Sequence, residues 1–536
     1  MVNFNARFLW WTLFLTAVIA LLVGGMILED IPEPDMAHRY MPMSEAFAEG
    51  DWHFAFHPRI QPLQIICGGS IAFLTGASAF TALKIASVLW FIAGGALLYG
   101  MFRELYSDRK WIATAATVFY ALHPYSFHLA VSGLRDSAKG ALLIMTAWGL
   151  IRIWRRPEEK KGFFLLAAAA SLGIICRVDM ILTALVSFAI GTALEWRQKK
   201  FPLHALCTSS LLLLTMLGNS LLNGLVPGAM MPDTRLAELF AKVFHRAPEF
   251  TDALLFSILA IAGVMAAAWL LKVLMKYGNF AVAVIIVITT TAASSIYFAL
   301  TLQNPDISGF IMAVIKGFYH FAGAFEIAVI IALAILKKLT PEEKILTILV
   351  LLNAALNIIS MQFSQHLLFI TSRYLAPALP LWAGFFVLGV KMIYDLVDKF
   401  TPRWLTNTLL ALSCTAIAGG LLYHMFQPPL RSRTHRRQQE IRQTIREISA
   451  SIAADYHGSK EYRVKQHIFN YQSKKYPKIF FADPGRISVS ASLAGGSITY
   501  KKRNAHYIVS SAPPAKKGKI MHTSGNKTYY IWRTRK

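Results

Sequence analysis

A chain of 536 residues that is 55% hydrophobic and only 15% charged, with a mean hydropathy of +0.46, falls well below the charge content of about one quarter usual for soluble domains. Its apolar residues gather in runs of roughly 18 to 22, long enough to cross a ~30 Å hydrocarbon core as helices and far too long for barrel strands. The composition excludes a soluble helical protein and a transmembrane barrel, and it predicts an all-α polytopic membrane protein carrying a formal net charge of +25.

The first apolar run, Phe8 to Leu28, follows Arg7 and reads as an uncleaved first helix: it is longer than a signal-peptide core and no small-residue cleavage site follows. A polar segment, 29–61, comes next, and then Pro62 to Gly76, which is apolar but short and rich in glycine, as expected of a segment lying at the interface. Further helices are expected at 81–101, 111–131, 136–154, 162–176, 178–195, 203–222, 251–272, 279–300, 317–337, 344–362, 373–391 and 404–424, about 13 crossings in all. Basic residues mark alternate loops, among them Arg103/Arg109/Lys110, Arg152/Arg155/Arg156 and Arg197/Lys199/Lys200. Those loops are predicted to face the cytoplasm, with 29–61, 223–250, 301–316 and 363–372 outside. An odd number of crossings leaves the N-terminus cytoplasmic and the tail outside.

The tail, 425–536, is a separate unit beyond the membrane region 1–424, with 23 Lys and Arg against 5 Asp and Glu. His435 to Tyr456 has helical periodicity. Short β-rich runs follow at Lys478–Ala482, Ile487–Leu493, Ser497–Tyr500, Tyr507–Ser510 and Tyr529–Trp532, punctuated by Gly and Pro. A small basic α/β extracytoplasmic domain is expected. In that location anionic phospholipid headgroups suit its charge better than nucleic acid, and a plain solvated surface competes equally. Cys67, Cys176, Cys207 and Cys414 lie in or beside apolar runs without metal-ligand spacing and read as solitary packed thiols.

The first outer loop carries the most chemistry: Glu29 to Tyr40, then Gly50-Asp51-Trp52, then His57-Pro58-Arg59-Ile60-Gln61-Pro62-Leu63. Pro32 and Pro34 stiffen the chain directly after a helix end, which holds Asp35 near the membrane surface. A carboxylate in a partly dry cleft there can accept a proton, although acids are also ordinary in such loops. Arginine suits a phosphate because it stays charged and grips two oxygens, and Arg59, Arg135, Arg177 and Arg373 all fall at predicted outer helix ends or outer loops. Arg177 interrupts an apolar stretch, where an ionisable residue is a functional candidate by default. The competing reading pairs it with Asp179 or Asp136 in a salt bridge. Arg373 could equally snorkel to headgroups. Lys316, Tyr319 and His320 are weaker candidates for the same cleft. Glu49, His53 and His57 have a spacing that fits a divalent metal, but a solvated face explains them better. His123 and His128 read as packed polar residues.

The order of these features resembles the lipid-linked-sugar glycosyltransferases of the GT-C fold, in particular bacterial members of the protein O-mannosyltransferase and aminoarabinose transferase superfamily (glycosyltransferase family 39-like). The pattern is an acid after the first helix, Arg39-Tyr40, Gly50-Asp51-Trp52, and Pro62-Leu63. It continues in Gly133-Leu134-Arg135-Asp136, Cys176-Arg177-Val178-Asp179 and Ser372-Arg373-Tyr374-Leu375-Ala376-Pro377-Ala378-Leu379-Pro380. The chain departs from the family at Met36, where a second acid is frequent, and at Gln61, where a proline is usual. The resemblance implies an enzyme at a bacterial inner membrane that transfers a sugar, with inversion, from a polyprenyl phosphate donor to a hydroxyl of a glycan, lipid or protein acceptor. It casts Asp35 as the catalytic base, and it places Arg39, Tyr40, Arg59, Arg135, Asp136, Arg177, Asp179, Arg373 and Tyr374 around the substrate. No cofactor is implied, and a divalent cation has no support in the sequence. Two other classes fit the topology: a transporter or flippase of a lipid-linked or anionic substrate, and a ligase or polymerase of surface polysaccharide. Against the transporter, no internal repeat and no matched pair of broken helices is found.

Overall fold

The computed structural model describes residues 2–28, 31–33, 35–56, 60–197, 340–350, 376–402 and 435–456, the tail segments 465–467, 470–472, 478–482, 497–498, 505–511 and 530–533, and a few single positions. Single positions aside, the spans expected at 203–222, 251–272, 279–300, 317–337 and 404–424 lie outside the described residues.

Helix α1 covers Val2–Leu28. A π-helical turn, Met36–Tyr40, runs directly into α2, Met41–Ala48, and the single turn α3, Trp52–Ala55, follows. Helix α4, Leu63–Thr75, has 13 residues, about 20 Å at 1.5 Å per residue, too short to span the bilayer core. It ends at Gly76, whose φ of +68° only glycine adopts without strain, and Ser78 then caps α5, Ala79–Leu105, by accepting from the Thr81 amide. Among the described residues α5 is the one helix both long and apolar enough to cross a membrane.

The single span expected at 111–131 is broken. It forms α6, Trp111–Leu122, and α7, Pro124–Val131, separated by His123 in extended backbone (φ −66°, ψ 126°). Pro124 has no amide hydrogen, and its ring forces the preceding residue out of helical geometry. Helices α8, Asp136–Arg155, α9, Lys160–Cys176, and α10, Val178–Arg197, begin and end within two residues of the expected bounds. The helix expected at 373–391 is regular only from α11, Ala383–Phe400, because Ala376–Trp382 is a 3-10 segment holding Pro377 and Pro380.

The main core packs Phe102 of α5 with Leu142 and Leu150 of α8 and Leu166 of α9, none of them exposed. Glycines allow α8 and α9 to cross closely: a Cβ at Gly149 would meet the Gly162 carbonyl oxygen and the Leu166 amide nitrogen, each at 3.0 Å. At one end of this bundle Glu104 accepts from Arg152 Nε and Trp148 Nε1, both at 2.8 Å. Arg155 bonds Glu342 at 2.9 Å, and the Tyr106 hydroxyl donates to Glu343 at 2.9 Å. These contacts tie α5 and α8 to the helical stretch 341–350.

In the tail, α12, His435–Asp455, packs on a mixed sheet of order β4-β3-β5-β6. The strands are β3, Lys478–Phe481, β4, Ser497–Ile498, β5, Tyr507–Ser510, and β6, Tyr530–Arg533. Strand β3 pairs in parallel with β4 and β5, and β5 pairs antiparallel with β6. Ile448 and Ile452 of α12 meet Ile479, Phe481, Tyr507, Val509 and Ile531 in a small core of its own. A separate two-stranded ladder, β1, Lys465–His467, with β2, Asn470–Gln472, was not expected. The strand expected at Ile487–Leu493 lies outside the described residues except at Ser490.

Candidate functional site

The end of the bundle opposite the Glu104 cluster collects most of the sequence candidates that the structure describes. It is organised around the loop between α7 and α8. Gly133 holds a φ of +73°, and a Cβ there would collide with the side chain of Met36. The loop carbonyls are fixed by side chains of two helices. Gln64 of α4 donates to the Gly133 oxygen at 2.9 Å, and Ser87 of α5 donates to the Leu134 oxygen at 2.9 Å. Lys84, buried on α5, donates to the Met26 carbonyl at 2.8 Å, which ties the end of α1 to the same place.

The π-helical turn rests on this loop through Met36, and the ring of Tyr40 lies 6.0 Å from the Arg135 guanidinium. Arg135 ends the loop just ahead of α8. It donates to the Gln61 amide oxygen and to the Cys176 carbonyl at 3.4 Å. Its Nε is buried and has no hydrogen-bond partner among the described residues. One residue on, Asp136 accepts from Arg177 at 2.8 Å, with the two side chains 0% and 9% exposed. Asp136 also begins α8, where a negative charge opposes the positive helix terminus. One turn along α8, Lys139 is fully buried, and Gly140 lies against the Pro377 carbonyl, with 3.3 Å from its ideal Cβ to that oxygen. The described part of the late proline motif thus joins the same cluster.

Asp35 stands at the start of the π-helical turn, 41% exposed, with its carboxylate 3.4 Å from Arg39. His38 is on the same turn, and its imidazole is pushed down to about 4, first by burial and then by the charge of Arg39, against an upward pull from Asp35. Nearby, Glu33 lies 3.7 Å from His128 of α7.

Of the sequence candidates, Tyr40, Arg135, Asp136 and Arg177 are brought together, and Asp35 and Arg39 lie on the turn that packs against them. Arg177 and Asp136 form the salt bridge that was the competing reading for this arginine. Asp179 lies in α10, and Arg59, Arg373, Tyr374 and His57 are outside the described residues. The sequence reading did not single out Lys84, Lys139, His38 or Gln64. The two lysines carried a usable signal, since each interrupts an apolar run with a charge. In the sequence Gln61 stands out only as a departure from proline. Its role as acceptor for Arg135, 74 residues away, has no local signature.

Residues 69–218 match the family described as dolichyl-phosphate-mannose-protein mannosyltransferase. No curated protein matches the chain. Among solved structures, the chain is similar to the oligosaccharyltransferase of Archaeoglobus fulgidus in its complex with zinc and sulfate, at 12% identity, 92% coverage of this chain, 67% of that chain and a TM-score of 0.52. The apo form of the same protein gives 11% identity, 91% and 65% coverage, and a TM-score of 0.51. ArnT from Cupriavidus metallidurans in the apo state aligns over 98% of both chains at 11% identity, with a TM-score of only 0.38. The chain spans about two thirds of the archaeal enzyme it matches. The resemblance to GT-C glycosyltransferases that the motifs pointed to therefore holds in both the family match and the fold.

Proposed function

We propose that the chain is an integral membrane glycosyltransferase that moves a sugar from a polyprenyl phosphate donor to an acceptor hydroxyl at the outer face of a bacterial inner membrane, inverting the anomeric centre. In this reading the membrane region crosses about 13 times and the basic α/β tail lies outside. Asp35 is the base that takes the acceptor proton, and the Arg135 guanidinium steadies the phosphate that leaves with the polyprenyl chain. Donor C–O bond cleavage releases polyprenyl phosphate, and the new glycosidic bond forms to the acceptor oxygen as its proton passes to Asp35.

The observation that carries the reading is the convergence of the Asp35 turn and Arg135 at one end of the bundle. Met36 rests on Gly133 and Tyr40 faces Arg135. A half-exposed carboxylate and a partly buried guanidinium, whose Nε is buried without a hydrogen-bond partner among the described residues, supply a proton acceptor and a cation within one neighbourhood. The match of 69–218 to a family that acts with dolichyl phosphate mannose supports a monophosphate-linked donor. Asp136 and Arg177 then act by fixing the helix ends. Arg39, Arg59, Asp179, Arg373 and Tyr374 are kept in this proposal as substrate-binding residues.

The test uses membranes holding the full chain, with tritiated dolichyl phosphate mannose as the probe. The reading expects label to move into acid-stable, lipid-free or acceptor-bound material at a rate that depends on the chain. A flippase would instead carry the intact probe across sealed vesicles with no covalent change, and that result would overturn the proposal. Turnover of a diphosphate-linked oligosaccharide alone would replace it with the ligase reading.

A further inference from the structure

We infer that the tail helix α12 positions the Asp35 turn, and that Ile445 is the residue through which it does so. What the turn does rests on the transferase reading above; the contact itself does not.

Three apolar residues, Ala37, Ile445 and Ile31, form a small cluster separate from the bundle core and from the core of the tail. Ala37 is 1% exposed and Ile445 is 2% exposed, although the first belongs to the π-helical turn and the second to a helix more than 400 residues later in the chain. The turn is therefore held from two directions. Met36 and Tyr40 press on the loop at Gly133 and Arg135, and Ala37 is covered by the tail. Asp35 and Arg39, on the polar side of the turn, are 41% and 54% exposed.

Helical spacing makes this a connected device. Ile445, Ile448 and Ile452 fall three and four residues apart, so they share a stripe of α12. Ile448 and Ile452 are locked into the sheet by Ile479 and Tyr507, while Ile445 reaches the turn. The fold of the tail sheet thus fixes the height of Ile445. A π-helical turn is a rare, widened geometry often found at functional sites, and it needs such support from its surroundings. Covering an isoleucine side chain favours the one arrangement of the turn that keeps it from water. Ile445 is on this account a positioning residue.

The experiment uses the full-length protein with Ile445→Asp and Ile445→Val, read by amide hydrogen exchange over 35–41 and by turnover of tritiated dolichyl phosphate mannose. Ile445→Asp is expected to speed exchange in 35–41 at least tenfold and to lower kcat with little change in KM for the probe, while Ile445→Val stays near wild type. Unchanged exchange in 35–41 for Ile445→Asp, with the Tyr507–Ser510 amides still protected, overturns the inference. Should Ile445→Asp unfold the tail, the pair Ala37→Cys with Ile445→Cys decides: ready disulfide formation under mild oxidant supports the contact, and failure to cross-link refutes it. If exchange responds as expected but wild type transfers no sugar, the positioning role stands and the transferase reading fails.

Discussion

Arg177 and Asp136 meet across 41 residues of chain in a 2.8 Å bond almost wholly removed from water. Such a pair contributes little net stability against an apolar substitute, but losing one partner strands a buried charge at a cost of about 3–5 kcal/mol. Asp136→Ala is therefore expected to lower the thermal midpoint of the detergent-solubilised protein sharply, and Asp136→Asn less so, because its amide oxygen still accepts. Equal midpoints for Asp136→Ala and wild type would contradict the assignment. His38 sets a pH dependence of opposite origin. Its folded value of about 4 lies below the unfolded value of 6.5, so between those two the unfolded chain binds more protons and stability rises with pH. Its contribution is present above pH 6.5 and is lost as pH falls toward 4. Midpoints measured across this window should fall on acidification for wild type and fall less for His38→Gln; parallel profiles would refute the role. The salt bridge was legible as one of two partners for Arg177, because a lone guanidinium between apolar half-runs demands a carboxylate. The burial that depresses His38 was not legible, since nothing in Met36 to Tyr40 shows which side chain the tail and bundle will cover.

Elements came through the sequence unevenly, for physical reasons. Helices α8, α9 and α10 follow hydropathy because charged residues punctuate their ends. The break at His123 did not register, since Pro124 changes backbone geometry without lowering the apolar content of the run. Strand β5 was found at its observed bounds because Tyr507–Ser510 is apolar and is buried along its whole length. The ladder of Lys465–His467 with Asn470–Gln472 carries no signal in the sequence because each strand is only three residues long and the first holds no apolar residue. The α8–α9 crossing yields a direct prediction. A methyl at Gly149 meets two backbone atoms of α9, each at 3.0 Å, and backbone cannot swing aside as a side chain can. Gly149→Ala should destabilise by about 1–3 kcal/mol, the usual range for overpacking. Gly24→Ala, where nothing lies within 4 Å, should be neutral or slightly stabilising through helix propensity. The comparison is made by thermal unfolding of the two variants side by side, and an unaffected Gly149→Ala would show that the helices do not pack at this glycine.

Among the described residues, two clusters of charged side chains lie at opposite ends of the helical bundle. Arg152, Arg155, Glu104 and Glu342 knit one end, and Asp35, Arg135, Asp136 and Arg177 gather at the other. The loop charges assign these two ends to opposite faces of a membrane, with Arg152 and Arg155 expected on the cytoplasmic side and the Asp35 loop outside. Ile445 brings the tail helix to the Asp35 end. The convergence of segments near 35, 61, 135, 177 and 377 could be suspected only from the order of motifs, because no local pattern encodes contacts between residues so far apart. The proton-acceptor role of Asp35 is measured most directly by comparing Asp35→Asn with wild type, using tritiated dolichyl phosphate mannose for both binding and transfer. The account predicts that Asp35→Asn binds the probe as wild type does and transfers its sugar at least about 100-fold more slowly, the lower range for loss of a general base. Transfer at the wild-type rate by Asp35→Asn would contradict it.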